Sequence, residues 1–126
     1  DGTAIRDYIH VTDLAAAHVS AADYLSDRNP SVAINLGNGT GYSVREVVDT
    51  IQTITALNVP VVHAPRRQGD APALVANADR ARSLLDWQPR YPDLRSIVST
   101  AWNWYSACGP ELSQPGGARP GALQHL

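Results

Sequence analysis

The sequence of 126 residues contains no lysine, methionine or phenylalanine, and it has a single cysteine, Cys108. Since all ten basic residues are arginines, no side chain can form a Schiff base and no tyrosine–lysine pair can transfer a proton. One cysteine cannot form an internal disulfide or a thiolate-rich metal site. No pair of histidines has the spacing of metal ligands, so we expect no metal.

The chain also lacks long apolar runs and any excess of positive charge. No apolar stretch approaches the length that spans a bilayer, and the first residues do not resemble a signal peptide. The formal net charge of -2 argues against nucleic acids and membrane surfaces as partners. We therefore expect a cytoplasmic protein in a reducing compartment.

Strand-like and helix-like patterns alternate along the chain, which predicts an α/β fold with a short sheet and flanking helices. Strands are predicted at 4–11, 32–36, 59–64 and 74–76, and the one at 32–36 is expected to be buried. We expect Thr12 or Asp13 to cap the first helix, Ser43 the second, and Asp79 the third, which runs through Leu85; Asp93 opens the last helix. Ser43 and Glu46 have the spacing of a capping box.

Glycine and proline dominate the sequence from Cys108 onward. Such a composition does not favour a packed core, so we expect a folded part over residues 1–106 and a disordered tail over residues 107–126. The sequence begins at Asp1, and residues 1–11 resemble the middle of a domain. We therefore expect a piece of a longer protein.

The segment at residues 34–44, INLGNGTGYSV, resembles a dinucleotide-binding turn. A fingerprint needs the spacing G-x-G-x-x-G, but here the spacing is G-x-G-x-G and Tyr42 stands where the third glycine belongs. Ser43 caps the following helix after the glycines, and residues 57–65 carry no acidic residue for a ribose. The sequence predicts a structural turn rather than a cofactor loop.

The segment at residues 65–70, PRRQGD, places two guanidinium groups beside a carboxylate. Guanidinium groups bind phosphate oxygens bidentately, and Asp70 could accept hydrogen bonds from ribose hydroxyls. The loop would suit a nucleoside diphosphate, although a solvated loop with a local Arg–Asp pair fits the same residues. Arg6 lies in a strand-like run. There its side chain can pair with Asp7, pack through its aliphatic part, or point into a cleft.

Four segments together resemble the UDP-glucose 4-epimerases, which are isomerases of the extended short-chain dehydrogenase/reductase family. They are DGTAIRDYIHVTDLAAAHVSA at 1–21, NLGNGTGYSVREVV at 35–48, APRRQGDAPALVANADRAR at 64–82 and LDWQPRYPDLRSIVSTAWNW at 85–104. The resemblance implies the C-terminal, UDP-sugar-binding part of a Rossmann-type enzyme. In that family the NAD-binding glycine motif and the catalytic Tyr-x-x-x-Lys lie upstream. It therefore implies a fragment that is inactive alone, without catalytic or cofactor-binding residues.

The resemblance also assigns roles to three residues of this chain. By their positions in the family motifs, Arg6 and Arg67 contact the diphosphate of the UDP-sugar and Asp70 contacts the uridine ribose. The family interconverts UDP-glucose and UDP-galactose in galactose metabolism, by NAD-dependent oxidation and reduction at C4. Leu74 replaces a tyrosine that touches the hexose in some epimerases, so the preferred hexose stays open.

Two other functions are compatible with the same residues. A related NAD-dependent sugar-nucleotide dehydratase or decarboxylase would use the same anchors for UDP. A non-catalytic nucleotide-binding or interaction module would need no further domain. The resemblance also allows a homodimer of the complete enzyme.

Overall fold

The structure is a computed structural model that describes residues 2–65 and 68–107. Its elements are β1 (Ile5–Asp7), α1 (Val11–Ser26), β2 (Gly41–Ser43), α2 (Val44–Thr55), β3 (Ala73–Leu74), α3 (Asp79–Leu85) and α4 (Leu94–Ala107). This order confirms the α/β prediction. Within these two ranges, no helix is both long and apolar enough to cross a membrane. Ala107 still belongs to α4, and the rest of the predicted tail lies outside the described residues.

The three strands form one small sheet in the order β2-β1-β3. The central strand β1 runs antiparallel to β2 and parallel to β3, with Arg6 opposite Tyr42 on one side and Leu74 on the other. A parallel neighbour requires a long crossover in the chain. The sheet therefore brings the first residues of the sequence next to the segment that follows the arginine-rich loop.

The core lies between α1, α3 and the connector that follows α3. Its buried cluster consists of Ala17, Ala78, Ala81, Leu85 and Trp87. The alanines are small enough for α1 and α3 to approach closely, and Trp87 fills the space beside them.

Two of the predicted strands are absent from the structure. Residues 32–36 and 59–64 adopt no regular secondary structure, and Val32 is 40% exposed although a buried strand was expected. A strand needs a hydrogen-bonding neighbour, and the carbonyl of Ala33 instead accepts a bond from the Arg80 side chain at 3.0 Å. The apolar pattern of residues 32–36 was therefore a misleading signal for a strand in this chain.

The helix caps differ from the prediction at two of four places. His10 caps α1 by accepting a hydrogen bond from the Thr12 amide, so the assignment to Thr12 or Asp13 was wrong. The Asn77 side chain accepts from the Asp79 amide at the start of α3, where Asp79 itself was the predicted cap. Local spacing identified cap regions here, but not which polar side chain reaches the free amide.

The other two caps are confirmed. Ser43 and Glu46 form the predicted capping box of α2, and the Asp93 carboxylate accepts a bond from the Ser96 amide in the first turn of α4. In both cases the polar side chain and the amide it binds lie three residues apart, which is a relation that the sequence shows directly.

The capping box makes the start of α2 sensitive to acid. Hydrogen bonds from the Ser43 amide and then from its hydroxyl lower the pKa of Glu46 below its ordinary value. The folded pKa is depressed, so this stabilisation is present above the unfolded pKa of about 4.3 and is lost as the pH falls through the folded pKa. We expect the hydrogen-exchange protection of the Glu46 amide, corrected for intrinsic rates, to decrease on acidification.

The matched control for this prediction is Glu46→Gln, which keeps an acceptor oxygen but cannot titrate. Its protection at the same amide should be lower than that of the parent chain near neutral pH and independent of pH. NMR-detected exchange measures both. A parent chain whose protection stays constant from about pH 6 to about pH 3 would contradict the assignment.

Candidate functional site

A cleft of about 560 Å³ opens beside the parallel pair of strands β1 and β3. It is lined by Arg6, Asp7, Ile34, Asn35, Leu36, Leu74, Val75 and Ala76. One wall is therefore the sheet, and the other is the extended segment before the glycine loop. Among the described residues, the charged groups of this lining come from β1, and the rest of the surface is mostly apolar.

Arg6 is held at this cleft by the segment before β3. Its Nη2 atom lies 2.6 Å from Oδ1 of Asp70, and the two side chains are 28% and 32% exposed. Its Nη1 atom donates to the carbonyls of Ile5 and Ala71, at 2.7 and 3.1 Å. The structure thus brings together two of the three predicted binding residues, although they are 64 positions apart.

This geometry decides between the readings that the sequence left open for Arg6. The guanidinium pairs with Asp70 rather than with the adjacent Asp7, and Arg6 is also one of the residues that line the cleft. Arg67, the third predicted binding residue, lies outside the described residues together with Arg66. Its role therefore stays a prediction from the sequence.

Asp7 organises the glycine loop that follows the extended segment of the cleft. Its carboxylate accepts hydrogen bonds from the amides of Asn38, Gly39 and Ala76, at 2.9, 3.0 and 3.2 Å. Free amides in a glycine loop are the groups that bind a phosphate in a dinucleotide site. Because the chain's own carboxylate takes up two amides of this loop, the arrangement agrees with the predicted structural turn.

Close packing explains why Gly37 stands next to this carboxylate. A Cβ atom at Gly37 would lie 2.5 Å from Oδ2 of Asp7 and 2.6 Å from the Cβ of Ala76. We expect Gly37→Ala to lower the free energy of unfolding by about 2 kcal/mol, as overpacking does, because Asp7 must move away from its amide donors. Urea unfolding followed by circular dichroism measures the change.

Gly39 provides the control in the same loop. It has a φ of +74°, but a Cβ atom there would meet nothing within 4 Å. Gly39→Ala should therefore cost only the backbone strain of about 1 kcal/mol. If Gly37→Ala proves as stable as the parent chain, the contact with Asp7 is not as close as described.

Two buried polar residues were not recognised as structural anchors in the sequence. Asp13 is 1% exposed, and its carboxylate accepts bonds from the amides of Arg90 and Tyr91, at 3.0 and 2.9 Å. It was predicted, as an alternative to Thr12, to cap the first helix. Its spacing of four residues to the buried Ala17 was the available signal that its side chain faces inward.

His10 is the second of these anchors. Its Nδ1 atom accepts from the Thr12 amide, so the proton is on Nε2, which lies 2.8 Å from the Thr100 hydroxyl. Its ring also packs against Tyr91, with ring centroids 4.6 Å apart. His10 thus joins α1 to α4. Among residues 2–65 and 68–107, no three acidic, histidine or cysteine side chains are grouped as metal ligands.

Comparison with known proteins identifies relatives over most of the chain. No protein-family model matches it. The UDP-glucose 4-epimerase of Rhizobium meliloti (strain 1021) is 53% identical over 106 residues, which are 84% of this chain and 32% of that protein. A crystal structure of UDP-glucose 4-epimerase superposes with a TM-score of 0.78 at 44% identity, covering 95% of this chain and 35% of that one. The chain is homologous to about one third of a UDP-glucose 4-epimerase.

A further epimerase structure contains two bound small molecules. The UDP-glucose 4-epimerase from Stenotrophomonas maltophila was crystallised with bound NAD and formylated UDP-arabinopyranose. It is 42% identical with a TM-score of 0.76, covering 86% of this chain and 32% of that one. NAD is thus a cofactor of the epimerases, and the small sheet with its helices is part of a larger architecture in them.

Proposed function

We propose that this chain is the C-terminal, UDP-anchoring part of a UDP-glucose 4-epimerase. The ion pair between Asp70 and Arg6, which lines the cleft, carries the proposal, because it places a phosphate-binding cation beside an acceptor for ribose hydroxyls. A guanidinium binds phosphate oxygens through paired N–H donors and keeps its charge at any working pH. The substrate proposed for the complete enzyme is a UDP-hexose, converted by inversion at C4.

The chain contributes to this reaction by holding the nucleotide. In an epimerase, the hexose must turn so that first one face and then the other meets the cofactor, while the UDP part stays bound. Anchors on the diphosphate and ribose lie away from the reacting carbon, so their binding energy can position the sugar. Arg67 is proposed as a second arginine on the diphosphate, from the same loop that carries Asp70.

The glycine loop of this chain does not fit NAD. Asp7 occupies the amides of Asn38 and Gly39 that a pyrophosphate would need, and a carboxylate at that place repels a phosphate. We therefore assign the cofactor and the proton transfer to the part of the epimerases that has no counterpart here. This part amounts to about two thirds of their length, since the chain covers 32% of the Rhizobium meliloti relative.

A chimera tests the proposal directly. The 106 matched residues of the Rhizobium meliloti epimerase are replaced by the corresponding residues of this chain, and conversion of UDP-galactose to UDP-glucose is measured. We expect the chimera to retain NAD and to epimerise UDP-galactose, and we expect no conversion by the 126-residue chain alone. A chimera that is folded and holds NAD but acts only on another UDP-sugar would favour a related sugar-nucleotide enzyme.

Calorimetry on the 126-residue chain tests the competing binding-module assignment. We expect UDP to bind with a dissociation constant of about 1 mM, because the remaining walls of the site come from the rest of an epimerase. Tight UDP binding by the isolated chain would instead support a module that works without a further domain.

A further inference from the structure

The Arg6 side chain is fixed before any ligand arrives. It donates to the carbonyls of Ile5 and Ala71 and to the Asp70 carboxylate, which uses three of the five N–H groups of a guanidinium. The backbone supports the same arrangement, since the Ile5 amide donates to the Pro72 carbonyl at 2.9 Å. Asp70 is thus one of the groups that hold the Arg6 side chain in place.

We propose that Asp70 is a positioning residue for Arg6, in addition to the ribose contact proposed for it above. The ion pair holds the guanidinium of Arg6, which lines the cleft, so a diphosphate binds a cation that is already oriented. An arginine without such support loses side-chain freedom when it binds, and that loss weakens the affinity. This inference rests on the proposed binding of UDP.

The two effects of Asp70 on a bound diphosphate have opposite signs. A carboxylate 2.6 Å from the guanidinium weakens the attraction for an anion, so removal of its charge alone should strengthen anion binding. Removal of its orienting bond should weaken anion binding. The sign of the change in affinity therefore shows which effect prevails, and we infer that orientation does.

The experiment compares Asp70→Ala and Asp70→Asn in the 126-residue chain. Both remove the charge, but asparagine keeps an acceptor oxygen for Arg6. Inorganic pyrophosphate and uridine are titrated separately, so the diphosphate and ribose contacts are measured apart. We expect pyrophosphate to bind about fivefold more weakly to Asp70→Ala, and about twofold more weakly to Asp70→Asn, since neutral bonds are about half as strong as charged ones.

A measurement without ligand accompanies the titrations. The NMR order parameter of the Arg6 Nε–H group in the free chain should fall in Asp70→Ala and fall less in Asp70→Asn. Asp79→Ala is the matched control, because it breaks the exposed ion pair of Asp79 with Arg82, which has a separation of 2.8 Å. It should change neither the Arg6 order parameter nor the affinity for pyrophosphate.

The outcomes separate this inference from the proposed function. If the parent chain binds pyrophosphate or UDP through Arg6, but Asp70→Ala binds pyrophosphate equally or more tightly, the positioning role is overturned and UDP binding stands. An unchanged Arg6 order parameter in Asp70→Ala overturns the positioning role without reference to any ligand. If the Arg6 signal of the parent chain responds to neither pyrophosphate nor UDP, both the positioning role and the proposed UDP binding fail.

Discussion

Replacing Asp13 by alanine is expected to lower the free energy of unfolding by about 4 kcal/mol. The side chain is 1% exposed, and its two carboxylate oxygens satisfy the amides of Arg90 and Tyr91. Alanine would leave both amides without this acceptor at a partly buried place, and each buried unsatisfied donor costs about 1–3 kcal/mol. The connector between α3 and α4 would also lose its attachment to α1.

Urea unfolding followed by tryptophan fluorescence suits this measurement. The indole N–H of Trp87 donates to the Asp13 carbonyl at 2.9 Å, so the emission of a core tryptophan reports on this region. Asp13→Asn keeps the volume and one carbonyl acceptor, and about half of the loss is expected. Asp23→Ala, at an exposed position of the same helix, should change the free energy by no more than about 0.5 kcal/mol. Equal effects of Asp13→Ala and Asp23→Ala would contradict the structural role of Asp13.

The sequence predicted the elements whose signals are local. The alternation of strands and helices, the Ser43–Glu46 capping box and the Asp93 cap involve residues within a few positions of one another. The incomplete fingerprint at residues 34–44 also predicted a structural turn, which agrees with the hydrogen bonds from the loop amides to Asp7. In that case, a missing third glycine and a late helix cap were sufficient to argue against a dinucleotide.

The wrong prediction and the contacts that the sequence did not indicate depend on partners that are distant along the chain. Residues 32–36 have the apolar pattern of a strand, but pairing depends on a neighbouring strand that the pattern cannot specify. The Asp13 carboxylate binds amides that are 77 and 78 positions away. The pairing of Arg6 with Asp70 spans 64 positions, so residues 1–11 left three readings open. Only the family resemblance placed the two residues in one site, and the structure then supplied their contact.

Replacing Arg6 by glutamine in the chimera is expected to lower kcat/KM for UDP-galactose about 100-fold. The proposed diphosphate anchor would lose its charge and its paired donors, and the hexose would no longer be held in register with the catalytic groups. Binding energy from the nucleotide part positions the reacting carbon, so kcat should fall together with the affinity. A coupled assay of UDP-glucose formation measures both constants.

Two further variants show whether the loss comes from the geometry of Arg6 at the cleft. Arg6→Lys keeps the charge but loses the planar fork that binds phosphate bidentately, so its kcat/KM should lie between those of the chimera and Arg6→Gln. Arg82→Gln removes an exposed arginine whose described ion pair is with Asp79, and it should leave the constants unchanged. Circular dichroism and retained NAD confirm that each variant is folded. If folded Arg6→Gln converts UDP-galactose with the same kcat/KM as the chimera, Arg6 does not anchor the diphosphate, because the reaction then proceeds without its charge.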